Sequence, residues 1–322
     1  MAKTKFAFFK GKVVPIEEAK VSIMAHAVNY GTGVFAGIRA YWNEEEEQLF
    51  VLHIRKHYER FQRSCKIMLM DLPYSIDDYV QITRDLLRRE GFRQDTYIRP
   101  LAYKSSELVG VRLHDLDADF SLFTTPLGSY IANEEDAKAG VSSWHRLDDN
   151  AIPARAKITG GYANSALIKT EAMLNGYDEA IVTTRDGHIS EGSAENLFLI
   201  RDGVLVTPPI SDDILEGITR DSMIQLASEE LGIETEARHI DRSELYLAEE
   251  AFFCGTGVQV VAITEIDHRP VGDGVMGPVV GRLRELYFNI ARGKIPRYRH
   301  WLTPVYQTES AAMEEKAPTL AA

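Results

Sequence analysis

Apolar residues recur along the chain with two periods, and each period predicts its own kind of element. Alternating or short apolar runs bounded by turn residues predict strands. They fall at residues 5–16 (folded at Lys10-Gly11-Lys12), 97–103, 120–126, 141–144, 179–184, 197–200, 204–207 and 260–266, with another ending near Cys254. Tight turns are expected at Asp186-Gly187 and Asp202-Gly203. A 3.6-residue period marks His53–Met70, where Ile54, Tyr58, Phe61, Cys65 and Met68/Leu69 share one face. A second helix runs from Ser75, capped in the Ser-x-x-Asp manner with Asp78, to Gly91. A third runs from Asn164 or Ser165 to Gly176, with Ala166, Leu167, Thr170, Met173 and Leu174 turned inward. Further helices are expected from Leu215 to Leu231 with Gly232 as the stop, from a cap at Asp241 and Glu244, and over Pro278–Arg292. A small, polar stretch over 128–140 reads as a linker between two units, and residues 307–322 read as a tail too poor in apolar residues to pack.

Composition narrows the function. At 322 residues the chain is long enough for two cores. Thirty-six Lys+Arg against 48 Asp+Glu leave a net charge of −12, which disfavours nucleic acid and anionic membranes as partners and requires anionic ligands to be held by local arginines or helix N-termini. Cys65 and Cys254 fit no metal-ligand spacing and point to a reducing compartment. No segment has the length of a signal peptide core or a membrane span, so a cytoplasmic protein is expected, with no structural metal.

Several stretches carry possible chemistry. In Ala156-Lys157-Ile158-Thr159-Gly160-Gly161-Tyr162 a lysine sits among small and apolar residues. Desolvation there would lower its proton affinity and make the amine a nucleophile toward a carbonyl; a solvated lysine beside a bend is the simpler alternative. Gly31, Gly33 and Gly37 approximate a dinucleotide fingerprint, but the last spacing is one residue too long and no buried strand precedes it. Arg60 is most simply a surface charge beside the helical stripe, and Arg99 interrupts an apolar strand, facing either solvent or an anion in a wet cavity. Glu191 lies in a small-residue loop between strands. The helix start at Gly217-Ile218-Thr219 and the turn at Gly255-Thr256-Gly257 offer donors to an anion, or serve as simple caps.

Taken in series, His26…Tyr30-Gly-Thr…Phe35-Ala-Gly-Ile-Arg39, His57-Tyr-Glu-Arg60, Tyr97-Ile-Arg99-Pro, Ala156-Lys157…Gly-Gly-Tyr162, Ile189-Ser-Glu191-Gly…Glu195-Asn196-Leu-Phe, Gly217-Ile-Thr-Arg220 and Gly255-Thr256 resemble the branched-chain amino acid aminotransferases. These are fold type IV enzymes dependent on pyridoxal 5'-phosphate. The likeness spans residues 5 to 303. It implies an α/β fold with a small N-terminal domain (1–127), a linker (128–138) and a larger, β-barrel-like C-terminal domain (139–306), assembled at least as a homodimer because family sites include a loop from the partner subunit.

The resemblance also implies roles. Lys157 matches the lysine that binds the cofactor and then moves protons as a general base. Glu191 matches the acid facing the pyridine nitrogen, and Tyr162 the residue on the ring's 3-oxygen. Arg60, the Ile218 and Thr219 N–H groups and Thr256 match the phosphate cup. Tyr30, Phe35, Gly37, Arg39, Val111, Leu127 and Tyr130 match the substrate pocket. Arg99 matches the group that meets the distal carboxylate of glutamate, and Tyr97, Thr256 and Gly257 those around the α-carboxylate. The implied reaction is transamination of L-leucine, L-isoleucine and L-valine with 2-oxoglutarate.

Two positions depart from the family pattern. Ala36 stands where most members have glutamate, and Leu127 where enterobacterial members have tryptophan. Both border the substrate region, so a relaxed specificity that includes (R)-amines is expected. The competing readings are a D-amino acid or (R)-amine transaminase or an aminodeoxychorismate lyase on the same fold, a nucleotide-binding oxidoreductase built on Gly31-Thr-Gly33, and a non-catalytic relative.

Overall fold

A computed structural model describes residues 3–128 and 133–306. The first sheet holds β1 (Phe6–Phe9), β2 (Lys12–Pro15), β3 (Gly33–Phe35), β4 (Ile38–Asn43), β5 (Gln48–Leu52), β6 (Thr96–Lys104) and β7 (Ala118–Pro126). The second holds β8 (Ala137–His145), β9 (Glu179–Thr183), β10 (Ile189–Gly192), β11 (Asn196–Arg201), β12 (Val204–Thr207), β13 (Thr235–Ala237), β14 (Glu250–Gly255), β15 (Gln259–Ile266) and β16 (Arg269–Pro270). A last strand, β17 (Leu302–Pro304), returns to pair with β5, so the first sheet runs β17-β5-β4-β6-β7-β1-β2 with β3 also on β6. The second runs β10-β9-β8-β15-β14-β11-β12-β13, with β16 also on β15, and is parallel at β8–β9, β8–β15 and β12–β13. Among the described residues six helices complete the α/β fold: α1 (His26–Tyr30), α2 (Ile54–Ile67), α3 (Ile76–Glu90), α4 (Tyr162–Leu174), α5 (Ile218–Leu231) and α6 (Pro278–Ala291).

The periodicity explains the packing. Helices α2 and α3 lay their apolar stripes on the first sheet, where Tyr79 stacks on Tyr58 at 4.9 Å and meets Phe120 edge-on at 4.8 Å. Strands β9, β11, β14 and β15 of the second sheet are buried on both faces, which is why they read as unbroken apolar runs. Leu197 and Leu199 enter a core that the curled sheet forms with itself, while Phe198 and Ile200 enter one capped by α5 and α6. Tyr41 and Leu52 of the first sheet join that second core, so the two sheets share apolar surface.

Several expectations need correction. Residues 26–30 form a short helix rather than part of a turn and strand, and the first strand of the second sheet begins at Ala137, inside the stretch read as linker. Glu191 lies within β10, not in a loop. Asp241 caps a 3-10 turn without a side-chain bond, and Glu244 pairs instead with Arg238. Leu69 is exposed while Met68 is buried. The expected face of α4 is inverted. Ile168 and Ala172 pack on Ala180 and Val182, and Ser165 is buried, while Leu167, Met173 and Leu174 face outward. That helix is apolar on both sides, so periodicity alone does not choose the inner one. Residues 307–322 lie outside the described residues. Among the described residues no helix is long and apolar enough to cross a membrane, and no trio of His, Cys, Asp or Glu side chains is placed to hold a metal.

The cap of α3 is as the sequence predicts: the Ser75 hydroxyl accepts from the Asp78 N–H while the Asp78 carboxylate accepts from the Ser75 N–H at 2.8 Å. Ser75→Ala should therefore destabilise the protein by about 1 kcal/mol. The check is the shift of the urea-unfolding midpoint.

Candidate active site

The lysine segment is fixed before its side chain is. The Phe35 N–H donates to the Lys157 carbonyl at 3.0 Å, and Gly160 N–H donates to the Gly31 carbonyl at 3.0 Å. Gly31 has φ 65°, and a Cβ there would lie 2.7 Å from the Gly160 Cα. The two glycine motifs thus let two backbones touch. Thr159 Oγ1 accepts from Gly33 N–H at 3.1 Å and donates to the Gly31 carbonyl at 2.8 Å. Gly31 and Gly33 are committed to this contact, which leaves the dinucleotide reading without its loop.

A cavity of about 700 Å³ opens between the two sheets. It is lined by Phe35, Gly37, Arg60, Tyr97, Arg99, Leu127, Lys157, Tyr162, Glu191, Ile218, Thr219, Thr256 and Gly257, so most of the residues singled out from sequence meet here. Three of the described residues do not line it as expected. Tyr30 packs on His26 at 4.6 Å, with its hydroxyl accepting from Gly110 N–H at 3.2 Å. Val111 is 87% exposed. Arg39 is buried and donates to the carbonyls of Gly257 at 2.9 Å, Leu127 at 2.7 Å and Gly128, so it ties the cavity walls together instead of lining them. Tyr130 falls outside the described residues.

Lys157 extends its ammonium between two rings, 5.1 Å from the centres of both Phe35 and Tyr162, which themselves lie 4.8 Å apart. The side chain has some accessible surface, but that surface is cavity wall. Enclosure lowers its pKa to about 7, and the nearby Arg60 guanidinium pushes the same way. Burial also raises Tyr162 above the ordinary phenol range.

Opposite stands Glu191, fully buried. Its Oε1 pairs with Arg146 Nη2 at 2.8 Å, and its Oε2 accepts from Asn196 Nδ2 at 3.0 Å and Leu215 N–H at 3.2 Å. Burial raises its pKa, and Arg146 opposes that rise. Arg146 and the orienting role of Asn196 were missed from sequence. Arg146 follows a strand with no local feature to distinguish it from a surface charge. Asn196 also donates to the Leu215 carbonyl at 3.0 Å, and a Cβ on Gly217 would collide with its Oδ1. Glycine at 217 therefore lets the start of α5 approach the strand that orients Glu191.

The third corner is an anion cup. Helix α5 begins at Ile218 with no side chain capping it, leaving its first N–H groups free. Arg60, a surface charge by its local pattern but a cup residue by the resemblance, is buried, donates to the Glu216 carbonyl at 2.9 Å, and makes no ion pair with a carboxylate among the described residues. Burial lowers its pKa to about 10. A buried cation without a counter-ion, beside a helix N-terminus, fits a phosphate. An enclosed amine, a buried carboxylate and this cup fit the three reactive parts of pyridoxal phosphate.

Fold and site together define an enzyme for amine chemistry on a phosphorylated carbonyl cofactor. The family model described as amino-transferase class IV matches residues 33–266. A probable branched-chain-amino-acid aminotransferase of Aquifex aeolicus is 50% identical over 94% of this chain and 97% of its own length, and the branched-chain-amino-acid aminotransferase of Escherichia coli K12 is 39% identical over 95% and 99%. The crystal structure of a branched-chain aminotransferase from Thermoproteus uzoniensis with norvaline superposes with a TM-score of 0.90 at 43% identity, over 94% of this chain and 100% of that one. The branched-chain amino acid aminotransferase of Thermobaculum terrenum, in its PLP-bound holo form, superposes at 0.90 and 36% identity, over 95% and 100%. The chain belongs to the class IV aminotransferases.

Two outcomes follow from the geometry. In cofactor-stripped enzyme, acylation of Lys157 by an amine-selective reagent should rise with pH around a midpoint of about 7 rather than near the ordinary lysine value; peptide mapping across a pH series measures it. For Arg60→Ala, cofactor affinity should fall by the equivalent of about 1.5–3 kcal/mol, a lost charge-assisted bond. Equilibrium dialysis reads the change, and undiminished affinity sinks the cup assignment.

Proposed function

We propose that the protein is a pyridoxal 5'-phosphate-dependent transaminase that exchanges the amino group between L-branched-chain amino acids and 2-oxoglutarate. The observation that carries the reading is Arg99. Its guanidinium lies 4.3 Å over the Phe35 ring and donates to the Tyr97 hydroxyl at 2.8 Å, with no carboxylate among the described residues paired to it. One cavity thus offers apolar walls (Phe35, Leu101, Phe123, Leu127) for a branched side chain and a free cation for the distal carboxylate of glutamate. Burying a branched side chain and making a charge-assisted bond are each worth about 1.5–3 kcal/mol, so neither substrate class dominates the other.

The bound cofactor supplies an electron sink for the carbanion left at the amino acid Cα. The residues do the rest. Lys157, of lowered basicity, would take the Cα proton and return it, and Tyr162 would hold the cofactor's 3-oxygen. Glu191, gripped by Arg146, Asn196 and the Leu215 N–H, would serve the ring nitrogen, and Arg60 with the start of α5 would hold the phosphate. The Tyr97 hydroxyl and the turn at Thr256-Gly257 take the α-carboxylate.

The active unit in this proposal is at least a homodimer in the cytoplasm. Val109 and Val111 are 91% and 87% exposed on a loop tied to Tyr30, outside their own chain's cavity, as suits a loop that completes a partner's site. The outward apolar face of α4 (Leu167, Met173, Leu174) beside half-exposed Trp144 offers further surface for assembly. A second reading, activity toward (R)-amines, is favoured by Ala36. It is buried in the strand turn before Arg39, where a glutamate would add a carboxylate.

Half-reactions followed by absorbance test both readings. L-leucine and L-glutamate should react, D-leucine should not, and an (R)-amine should react slowly. Arg99→Leu should slow the glutamate half-reaction by roughly 10- to 100-fold while leaving leucine within a few-fold, the loss of one charge-assisted bond. Equal losses for both substrates would refute the assignment of Arg99.

A further inference from the structure

The anion cup is built from two helices that belong to different sheets. Arg60 comes from α2, which lies on the first sheet, and the free N–H groups come from the start of α5, which caps the second. A cup in two halves needs a bridge that fixes the gap between them. The bond from Arg60 to the Glu216 carbonyl is one, but it is made by the same guanidinium that a phosphate would engage. A second bridge lies two turns back along α2. His53, the residue just before the helix, is buried, and its Nε2 lies 3.2 Å from the Ser222 hydroxyl in the first turns of α5. That hydroxyl donates its one proton to the Ile218 carbonyl at 3.0 Å, so the imidazole supplies the proton of the other bond. Burial, with Lys56 and His300 nearby, lowers the His53 pKa to about 3 and keeps the ring neutral.

The backbone at His53 is that of a position where glycine would be easier. Its φ of 49° and ψ of 35° are left-handed, and its side chain caps none of the N–H groups of α2. The conformation is held from outside: the His53 N–H donates to the Trp301 carbonyl at 2.7 Å, and the two rings pack 4.5 Å apart. A side chain kept at such a place, and reaching 169 residues along the chain to a hydroxyl, serves something other than the turn.

We propose that His53 is a positioning residue for the cofactor phosphate, its bond to Ser222 setting the distance between the Arg60 guanidinium and the N–H groups of Ile218 and Thr219. The inference rests on the cup taking the phosphate. It adds what holds the two halves of the cup in register when Arg60 turns its guanidinium to the ligand.

Pyridoxal 5'-phosphate and pyridoxal share ring and aldehyde and differ in the phosphate, so their separate affinities for cofactor-stripped enzyme isolate the cup. His53→Gly relieves the backbone and removes the bond. It should weaken pyridoxal 5'-phosphate by roughly three- to tenfold, the loss of one neutral hydrogen bond, and leave pyridoxal within about twofold. Equal losses for the two ligands, or no loss for either, overturn the proposal. Ser222→Ala cuts the same bond from the α5 side and carries the test should His53→Gly not fold; the same selective loss is expected, and its absence overturns the proposal. The double variant should bind no more weakly than the worse single variant, and additive losses overturn it as well. Arg60→Ala, titrated with the same two ligands, tests the cup itself. If it shows no loss selective for the phosphate, the cup reading fails; if it does and His53→Gly does not, only the bridge fails.

Discussion

An amine and a guanidinium share one enclosed cavity wall, and the rest of the site answers that constraint. Burial costs desolvation at both Lys157 and Arg60, lowering the first to about 7 and the second to about 10, and the guanidinium pushes the lysine further the same way. The strain is resolved differently at each. The lysine gives up its proton readily, which makes the amine a nucleophile. The arginine stays charged and needs an anion, for which α5 supplies free N–H groups alongside. In the reading proposed above, the guanidinium that adds to the lowering of the amine's basicity is also the one that holds the phosphate.

This constraint dictates the fold's unusual contacts. Two segments about 130 residues apart in sequence, around Gly31 and Gly160, must touch backbone to backbone for Lys157 to enter the cavity at a fixed angle. The Asn196–Gly217 contact does the same for Glu191 and the cup: a methyl group at 217 would displace the amide that orients the acid. Glycine here is a matter of clearance between protein parts, not of contact with a ligand, so the glycines mark the seams of the site rather than its surface.

What could be read from the sequence divides along physical lines. Helices α2, α3 and α6 were legible because each carries one apolar stripe against a polar face. Helix α4 was legible as a helix but not as to its inner side, since both faces are apolar. The strand of Glu191 was read as loop because Ser190, Gly192 and Ser193 are small and polar-to-neutral, a composition that burial on both faces overrides. Arg60 looks like any helix-surface arginine, and only its burial distinguishes it. Arg146 could not be found from local pattern at all, because its partner Glu191 is distant in sequence and ion pairing across a fold leaves no periodic trace. The ordered series of motifs made the site readable, through a resemblance; the patterning supplied only the frame.

Substrate duality is the last consequence of the same economy of charge. An acidic protein with a net charge of −12 must place its few uncompensated cations deliberately. Arg60 and Arg99 both reach the cavity without a carboxylate partner among the described residues, and their surroundings separate their duties. Arg60 is held against the α5 terminus by its bond to the Glu216 carbonyl, a place suited to a fixed anion. Arg99 lies over the Phe35 ring at 4.3 Å and donates to the Tyr97 hydroxyl at 2.8 Å, so a cation and an aromatic face adjoin in the cavity. In the proposed reading the guanidinium meets a carboxylate and the ring beside it a hydrocarbon, so one pocket serves both amino donors of the transamination.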